Sequence, residues 1–410
     1  MLIAGFIFAG MRQHSYLNSA KKIIDAYDGG GPLSIFLKKE FAANKKYGSK
    51  DRKKVTALCY AFYRLGKAMA GLSIEEKIIA GTFLCEHSSN EFLAFHKPEW
   101  NAVIEKPLLE KTDLAGLSIN EVFPWNNELS PGIDQHSFCS SFFTQPDLFL
   151  RVRPGKKSAV LKKMQDAGLH YDTPGEDCIS LPNNTKLDDI IELDKDVVIQ
   201  DYTSQQVLNI IKDPASGILY PASRIQHPVS AWDCCAASGG KSLLAHDILD
   251  GKITLTVSDI RGNILSNLKK RFSAAGINNY KSFVADLQTP NLKLSIGPGG
   301  QTSNFQLIIC DAPCTGSGTW SRMPEQLYFF KEEMIAAYAN RQQKIVSNVI
   351  PHLEKGGMFI YITCSVFKKE NEEIVSFIKE KFHLRLFQME LLKGYDKKAD
   401  SMFTAAFIKE

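Results

Sequence analysis

Long hydrophobic runs are missing from this sequence: no stretch of 18 or more apolar residues occurs, so no segment is predicted to span a membrane. A strong charge excess is missing too, because 49 lysines and arginines face 45 aspartates and glutamates. That balance does not indicate nucleic-acid binding unless one face is locally basic. The nine cysteines form no CxxC pair, which is typical of buried, reduced thiols. We therefore expect an intracellular, cytoplasmic protein without a bound metal.

The first eleven residues are apolar but lack the basic flank and the clear cleavage site of a signal peptide. The segment that follows Met11 is polar. We expect Met11, and not Met1, to be the natural start, with a weak signal peptide as the alternative.

The chain has 410 residues, of which 44% are hydrophobic and 23% are charged, as in a folded protein of two or three domains. Residues 1–125 are predicted to form a helical N-terminal region. Its clearest helix covers residues 51–69, where apolar side chains recur at three- and four-residue steps and share one face. We interpret that face as core and the basic residues beside it as solvated, with RNA contact as the alternative.

After residue 146 the pattern changes twice. Residues 146–200 mix short strands with one helix and are predicted to form a small α+β module. RNA contacts are predicted on a basic cluster there, composed of Arg151, Arg153, Lys156 and Lys157, with a solvated face as the alternative. Residues 201–410 alternate apolar strands with helices, which indicates an α/β fold, Rossmann-like, with a parallel sheet covered on both faces. Its strands are predicted at 229–235, 253–259, 281–286, 305–311 and 357–364, and a surface insertion at 291–304.

The first strand of the predicted sheet runs into the sequence DCCAASGGKS, residues 233–242, and a helix follows. Glycines in such a turn let a ligand approach the backbone, and the helix N-terminus offers free N–H groups to a carboxylate or phosphate. Acidic residues end four strands at the same carboxyl edge, namely Asp233, Asp259, Asp286 and Asp311. The cofactor is therefore predicted to bind Cys235, Ala236, Ala237, Ser238, Gly239, Gly240, Lys241, Asp259, Asp286 and Asp311.

Three cofactors compete for this turn. A dinucleotide requires GxGxxG, which AASGGK does not supply. A phosphate loop requires GxxxxGK[ST]; its last three positions are present, but Cys235 takes the place of the first glycine. The strand at 305–311 imitates the magnesium-binding strand of such nucleotide hydrolases. S-adenosylmethionine would place its carboxylate at the turn, its ribose at Asp259 and its adenine near Asp286.

Two cysteines follow strand ends in loops rich in small residues. Cys314 lies in DAPCTGSG, residues 311–318, and Cys364 lies in YITCSVFKKENEE, residues 361–373. Both are predicted at the edge where the cofactor binds, and a thiol there can act as a nucleophile if its pKa is lowered. The alternative is burial as a small apolar residue, which we expect for Cys59, Cys85, Cys139 and Cys310.

With these motifs the sequence resembles the RNA cytosine-5 methyltransferases of the Sun/Nop/NSUN family, specifically their bacterial ribosomal-RNA branch. The family pattern DxCAAPGGKT appears as DCCAASGGKS, DAPCSGxG as DAPCTGSG, and TCSxxxxENE at residues 363–372. A QDxSSQ-like motif occupies residues 200–205. The resemblance covers residues 146–410, with an RNA-recognition-like module at 146–200 and the methyltransferase domain at 201–410; the helical region resembles a NusB-like extension.

The resemblance implies that S-adenosylmethionine is the methyl donor and that RNA is the partner, ribosomal RNA being preferred. It implies Cys364 as the nucleophile, Cys314 as the residue that promotes product release and Asp311 as the group that polarises the base. No membrane and no obligate protein partner is implied. Transfer RNA as the substrate, a phosphate-loop nucleotide hydrolase and a non-catalytic RNA-binding assembly factor are the alternatives.

The sequence departs from the family pattern in three motifs. In the first motif Ser238 replaces the proline and Ser242 replaces the threonine, and Ile264 lies near the place of the usual arginine after the second acid. The C-terminal DGFF motif is DSMF at residues 400–403. These departures bear on the choice of substrate and leave the expected reaction class unchanged.

Overall fold

The computed structural model describes residues 2–213, 225–289 and 304–410, with side chains from Gly10 onward. The surface insertion predicted at 291–304 lies outside these residues, except for Asn304. The chain divides into two compact units. Unit 1 contains the residues up to Asn127 with Asp134–Gln145 and Thr319–Lys331, and unit 2 contains Glu128–Ile133, Pro146–Gly318 and Glu332–Glu410.

The α-helices are α1 (Leu2–Ala26), α2 (Leu33–Ala43), α3 (Ser49–Arg64), α4 (Ile74–Cys85), α5 (Glu91–His96), α6 (Pro98–Asn101), α7 (Leu108–Ala115), α8 (Gln135–Ser141), α9 (Lys157–Asp166), α10 (Gly240–Ile248), α11 (Gly262–Ala274), α12 (Pro324–Phe329), α13 (Glu333–Val349) and α14 (Glu372–Phe382). The strands are β1 (Leu148–Val152), β2 (Asp172–Gly175), β3 (Cys178–Leu181), β4 (Val197–Ile199), β5 (Val229–Asp233), β6 (Ile253–Asp259), β7 (Tyr280–Val284), β8 (Phe305–Asp311), β9 (Leu353–Thr363), β10 (Arg385–Leu392) and β11 (Met402–Ile408). Across the described ranges, no helix combines the length and the apolar character that crossing a membrane requires.

Unit 1 is helical, which confirms the predicted N-terminal helical region. Helix α3 buries the apolar stripe seen in the sequence, and the Asp51 carboxylate accepts a hydrogen bond from the Gly48 N–H at its N-terminus (3.1 Å). The segment 319–331, which the sequence pattern did not associate with this region, belongs to the same core. Its Trp320 packs against Phe123, and its Tyr328 packs against Phe62 of α3.

Unit 2 contains two sheets. The small antiparallel sheet has the strand order β2-β3-β1-β4 and, with α9, forms the α+β module. The larger sheet has seven strands in the order β10-β11-β9-β8-β5-β6-β7. Strands β5 to β9 run parallel and confirm the predicted α/β fold, while β10 and β11 form an antiparallel hairpin that the sequence pattern did not predict.

The seven-stranded sheet is buried on both faces. One face packs on apolar residues of α10 and α11, and the other on apolar residues of α13 and α14. The chain places β6 and β7 on one side of β5, and β8 and β9 on the other. The strand order therefore reverses between β5 and β8, and crevices at such a reversal are where open α/β sheets bind ligands.

Candidate functional site

A cleft of about 370 Å³ opens at the carboxyl ends of the parallel strands, beside the reversal between β5 and β8. This volume lies within the range of small-molecule binding sites. Of the residues predicted from the sequence, the cleft is lined by Cys235, Ala237, Asp259, Asp286, Asp311, Cys314 and Cys364. The other predicted cofactor residues, Ala236, Ser238, Gly239, Gly240 and Lys241, form the turn and the first residues of α10 next to it.

The turn between β5 and α10 requires glycine. Gly239 has φ +85°, and a Cβ atom there would lie 2.7 Å from the Phe272 ring, so both the backbone angle and the packing exclude a side chain. A Cβ atom on Gly240 would meet nothing within 4 Å. Ala237 also has a positive φ of 45°, and its N–H donates to Asp259 (3.0 Å). The turn is therefore tied to the end of the neighbouring strand β6.

Asp233 lies beneath this turn and not in the cleft. Its carboxylate is fully buried and accepts a hydrogen bond from the Ser242 hydroxyl (2.6 Å), while its Oδ1 has no hydrogen-bond partner in the described part of the chain. Burial outweighs the Ser242 hydrogen bond and raises the pKa of Asp233 to about 7. Asp233 therefore supports the turn as a residue that is partly protonated near neutral pH.

Asp259 is held by Arg261, a residue that sequence reasoning missed. The Arg261 guanidinium lies 3.0 Å from Oδ1 of Asp259, and the Arg261 N–H donates to the same oxygen (2.9 Å). Burial alone would raise the pKa of Asp259, but the hydrogen bonds from Arg261 and Ala237 hold it below its usual value. The only signal for this role in the sequence was an arginine two residues after a strand-end acid.

Asp311 ends β8 and forms an ion pair with Lys241 of α10, with 2.8 Å between Nζ and Oδ2. Burial would lower the pKa of Lys241, but the attraction of Asp311 outweighs it and raises that pKa. Lys241 is thus a cation that fixes one oxygen of Asp311. Asp286 follows β7, is exposed, and accepts a hydrogen bond from the Gln288 N–H (3.0 Å).

The two predicted cysteines meet. The sulfur atoms of Cys314 and Cys364 lie 3.4 Å apart, although 50 residues separate them in the chain. The Gly318 N–H donates to the Cys364 carbonyl (2.9 Å), which joins the two loops. The hydrogen bond to Cys364, together with burial, raises the pKa of Cys314 well above that of an ordinary thiol. Cys314 therefore keeps its proton beside Cys364.

The acidic motif after Cys364 holds both cysteine loops in place, a role that sequence reasoning did not assign. Glu370 is buried and accepts hydrogen bonds from the Thr315 hydroxyl (2.6 Å), the Thr315 N–H (2.9 Å) and the Ser365 hydroxyl (3.0 Å). The Asn371 amide donates to the Ser365 carbonyl and to the Ser130 hydroxyl, both at 2.9 Å. One buried carboxylate thus joins the loop after Cys314 to the loop after Cys364.

The prediction that Arg151 and Arg153 contact RNA is wrong. Arg151 lies on β1 and Arg153 follows the end of that strand. Both form ion pairs with Asp247 of α10, at 2.6 Å and 2.8 Å, and Arg151 is only 5% exposed. Their side chains face the helix that covers the strand, so they join the α+β module to the larger sheet. Lys156 is half-buried and Lys157 is exposed, and only these two remain candidates for phosphate contact.

Part of this chain is similar to known RNA methyltransferases. Residues 225–407 match the family model described as 16S rRNA methyltransferase RsmB/F. A probable ribosomal RNA small subunit methyltransferase B of Bacillus subtilis is 27% identical over 247 residues, covering 59% of this chain and 51% of that protein. The mouse tRNA (cytosine(72)-C(5))-methyltransferase NSUN6 is 30% identical over 156 residues, covering 37% of this chain and 32% of that protein. The chain thus matches about half or less of the length of these relatives.

Solved structures show the same fold. PH0851 superposes with a TM-score of 0.68 at 16% identity, covering 96% of this chain and 98% of its own. A methyltransferase homolog protein from Pyrococcus horikoshii superposes with a TM-score of 0.54 at 18% identity, covering 68% of this chain and 92% of its own. Residues 225–407, which carry the glycine turn and both cysteine loops, are thus similar to the 16S rRNA methyltransferases RsmB/F.

Proposed function

We propose that this chain transfers a methyl group from S-adenosylmethionine to carbon 5 of a cytosine in RNA, and that the substrate is small-subunit ribosomal RNA in the cytoplasm. The observation that carries the proposal is the pair of thiols 3.4 Å apart at the end of a cleft that also exposes Asp311. Transfer RNA is the second candidate substrate, because one of the matched relatives is named a tRNA methyltransferase. No obligate protein partner is proposed.

The residues around the cleft fit S-adenosylmethionine. The turn at Cys235 and Ala237 and the N-terminus of α10 suit a carboxylate, since that helix begins with N–H groups that lack intrahelical partners. Asp259 suits the ribose hydroxyls. Its partner Arg261 has a side chain 56% exposed and is therefore free to turn away. Bound there, the cofactor would supply an electrophilic methyl group.

A phosphate-loop hydrolase fits less well. In such enzymes the lysine of the loop binds phosphate and the strand-end aspartate holds magnesium. Here the corresponding Lys241 and Asp311 are paired with each other at 2.8 Å. Because they are paired, Lys241 is not free to bind phosphate and Asp311 is not free to hold magnesium.

Carbon 5 of cytosine is a poor nucleophile, so the base must first be activated. In the proposed mechanism Cys364 loses its thiol proton and its sulfur adds to carbon 6, while ring nitrogen 3 gains a proton. The Asp311 carboxylate accepts a hydrogen bond from that N–H and so favours the protonation, which relieves the negative charge that develops on the ring. Lys241 orients the Asp311 carboxylate. After methyl transfer the proton on carbon 5 passes to solvent and the bond between carbon 6 and the Cys364 sulfur breaks. The Cys314 thiol, 3.4 Å from that sulfur, is placed to promote release by donating a hydrogen bond to the departing thiolate.

The cytosine must reach the cleft as an unpaired or flipped base, because carbon 5 and carbon 6 are inaccessible inside a helix. Phosphate contacts are proposed for Lys156 and Lys157 of the α+β module. Bisulfite sequencing of RNA from cells with and without this protein would identify the methylated cytosine and separate ribosomal from transfer RNA.

The first prediction tests the division of labour between the two thiols. Cys364→Ala has no nucleophile, so it should be inactive and should form no covalent complex with RNA. Cys314→Ala can attack and transfer the methyl group but should release product slowly, so a protein–RNA adduct should accumulate. A denaturing gel after incubation with substrate RNA and S-adenosylmethionine measures both outcomes.

Cys139→Ala, which removes a buried thiol of unit 1, is the matched control and should behave like the parent protein. Circular dichroism checks that each variant is folded. An adduct trapped by Cys364→Ala in place of Cys314→Ala would show that the roles are exchanged. Full methylation by Cys364→Ala would exclude the covalent mechanism.

A further inference from the structure

Three further thiols form a cluster beside the cleft. The sulfur atoms of Cys234, Cys235 and Cys310 all lie within 4.8 Å of one another. Cys234 and Cys310 are completely buried, and Cys235 is half-buried. The sequence alone predicts Cys310 as a buried apolar residue and no bound metal.

The topology of the sheet explains why these residues meet. Asp233 of β5 pairs with Ile309 of β8 in parallel register, and the Cys234 N–H donates to the Ile309 carbonyl (2.9 Å). Cys234 and Cys310 are the next residues on the two strands, so they emerge side by side. Cys235 begins the turn towards α10 and completes the group.

We propose that this cluster is a binding site for a soft, thiophilic cation and that Cu(I) is the ion it fits. A metal held by three thiolates at bond lengths of about 2.3 Å places the sulfurs about 4.0 Å apart, so displacements of less than about 1 Å convert the cluster into a ligand set. In binding, each new copper–sulfur bond replaces an S–H bond, the proton passes to solvent, and copper remains in its +1 state.

The number and kind of ligands distinguish Cu(I) from zinc. Structural zinc is almost always held by four ligands in a tetrahedron. In the described part of the chain no histidine, aspartate or glutamate joins the three thiols. The surroundings are apolar, because Cys234 and Cys310 belong to the core that includes Trp232 and Ile308. A trigonal site made only of soft sulfur ligands favours Cu(I).

The test uses the full chain carrying Cys314→Ala and Cys364→Ala, so that the other close pair of thiols cannot bind the metal. Cu(I) is titrated anaerobically against a chromophoric copper chelator. We expect one tightly bound copper per chain, and at least tenfold weaker binding when Cys234→Ser or Cys310→Ser is added. Cys139→Ser is the matched control and should bind copper like its parent.

Two results would overturn the proposal: no copper bound in competition with the chelator, or binding that neither serine substitution weakens. If the serine variants fail to fold, copper binding is tested on the folded parent by alkylation of its thiols followed by peptide mass spectrometry. Copper should then protect Cys235 but not Cys85, which is also half-buried. Equal alkylation of Cys235 with and without copper, or a disulfide between Cys235 and Cys310 in its place, would contradict the proposal.

Discussion

At the scale of single residues, Gly318 determines how closely the two cysteine loops approach. Its N–H donates to the Cys364 carbonyl, and its own carbonyl accepts a hydrogen bond from the Ser401 N–H, both at 2.9 Å. A Cβ atom on this residue would lie 2.1 Å from the Ser401 carbonyl oxygen. The Ser401 carbonyl belongs to the backbone and cannot rotate away as a side chain can. Any substitution of Gly318 must therefore separate the segments that carry Cys364 and Ser401.

Gly318→Ala should therefore lower both stability and activity. Overpacking of this kind costs about 1–3 kcal/mol. In the Cys314→Ala background, where the RNA adduct accumulates, displacement of the Cys364 loop should reduce adduct formation by more than about tenfold. Urea unfolding and the denaturing gel measure the two effects. Gly71→Ala, where a Cβ atom meets nothing within 4 Å, is the control; equal behaviour of the two variants would refute the close approach.

Asp233 should give the protein a measurable pH dependence. Its pKa rises from 3.8 to about 7 on folding, so the folded state binds its proton more tightly than the unfolded chain between those values. The free energy of unfolding should therefore fall as the pH rises from about 4 to about 7. Asp233→Asn cannot lose this proton, so its stability relative to the parent should increase by about 4 kcal/mol across that window and stay constant above it.

Urea unfolding of both proteins at several pH values tests this effect. The contribution of Asp247 to the free energy of unfolding should show the opposite pH dependence, which Asp247→Asn would remove. Burial would raise the pKa of Asp247, but hydrogen bonds from His246, Arg153 and Arg151 hold it below its usual value, so the stability that Asp247 supplies is present at neutral pH and lost in acid. A stability difference for Asp233→Asn that does not change with pH would show that the carboxyl titrates normally in the folded protein.

Residues at strand ends could be predicted because topology alone brings them together. Asp311, Cys314 and Cys364 meet because parallel strands end at one edge of the sheet. The order of strands and helices that makes the sheet parallel could be predicted from the sequence. The hydrogen-bond and ion-pair partners of side chains could not be predicted, because they depend on the distances between side chains of different elements in the folded protein. The contacts of Arg261 and Glu370 were not predicted for this reason. The ion pair of Arg151 was not predicted because an alternating strand pattern does not say which face of the strand a helix covers.

At the scale of elements, Asp247 joins the α+β module to α10. Its carboxylate pairs with Arg151 of β1 and with Arg153, which follows that strand, and the three side chains are between 5% and 11% exposed. Asp247→Ala would leave two buried guanidinium groups without an anion, which should destabilise unit 2 by about 3–5 kcal/mol. Asp166→Ala, at the exposed end of α9, should cost less than about 0.5 kcal/mol in the same unfolding experiment.

If Asp247→Ala proves as stable as Asp166→Ala, the two arginines do not depend on Asp247. They would then be available for phosphate, as the sequence pattern suggested. The salt dependence of RNA binding by a Lys156→Glu, Lys157→Glu variant would separate these possibilities, since it removes the exposed cations and leaves β1 intact.

The elements of the parallel sheet were predictable, and the last two strands were not. Strands β5, β6 and β8 are continuous apolar runs that end in an acid, a pattern that helices rarely show. Strand β10 mixes exposed and half-buried residues, so its sequence lacks a clear period of two. Strand β11 is buried throughout, but only its pairing with β9 and β10 identifies it as an antiparallel strand.

At the scale of the whole molecule, the chain passes between the two units five times. The segment 319–331 leaves unit 2 directly after Gly318 and carries Trp320, Leu327 and Phe330, which are at most 5% exposed within unit 1. A fragment of residues 146–410 would keep this segment without its partners. We expect such a fragment to aggregate and to bind a hydrophobic dye.

The matched fragment, in which a flexible Gly/Ser linker of the same length replaces residues 319–331, should remain soluble to a higher concentration. Size-exclusion chromatography and light scattering compare the two. Equal solubility would show that the apolar side chains of the segment find other partners when unit 1 is missing.

The late position of this segment in the chain also delays the folding of unit 1 during synthesis. Helices α1 to α8 leave the ribosome first, but Lys331, the last residue of their unit, follows Gln145 by 186 residues. At roughly 5–20 residues per second, that gap lasts roughly 10–40 s. During this time the Phe62 and Phe123 rings, which later pack on Tyr328 and Trp320, are exposed on a nascent chain. The helical unit, although its first helices are made early, cannot complete its core until Lys331 has been made. Chaperones that bind nascent apolar segments have that interval in which to act.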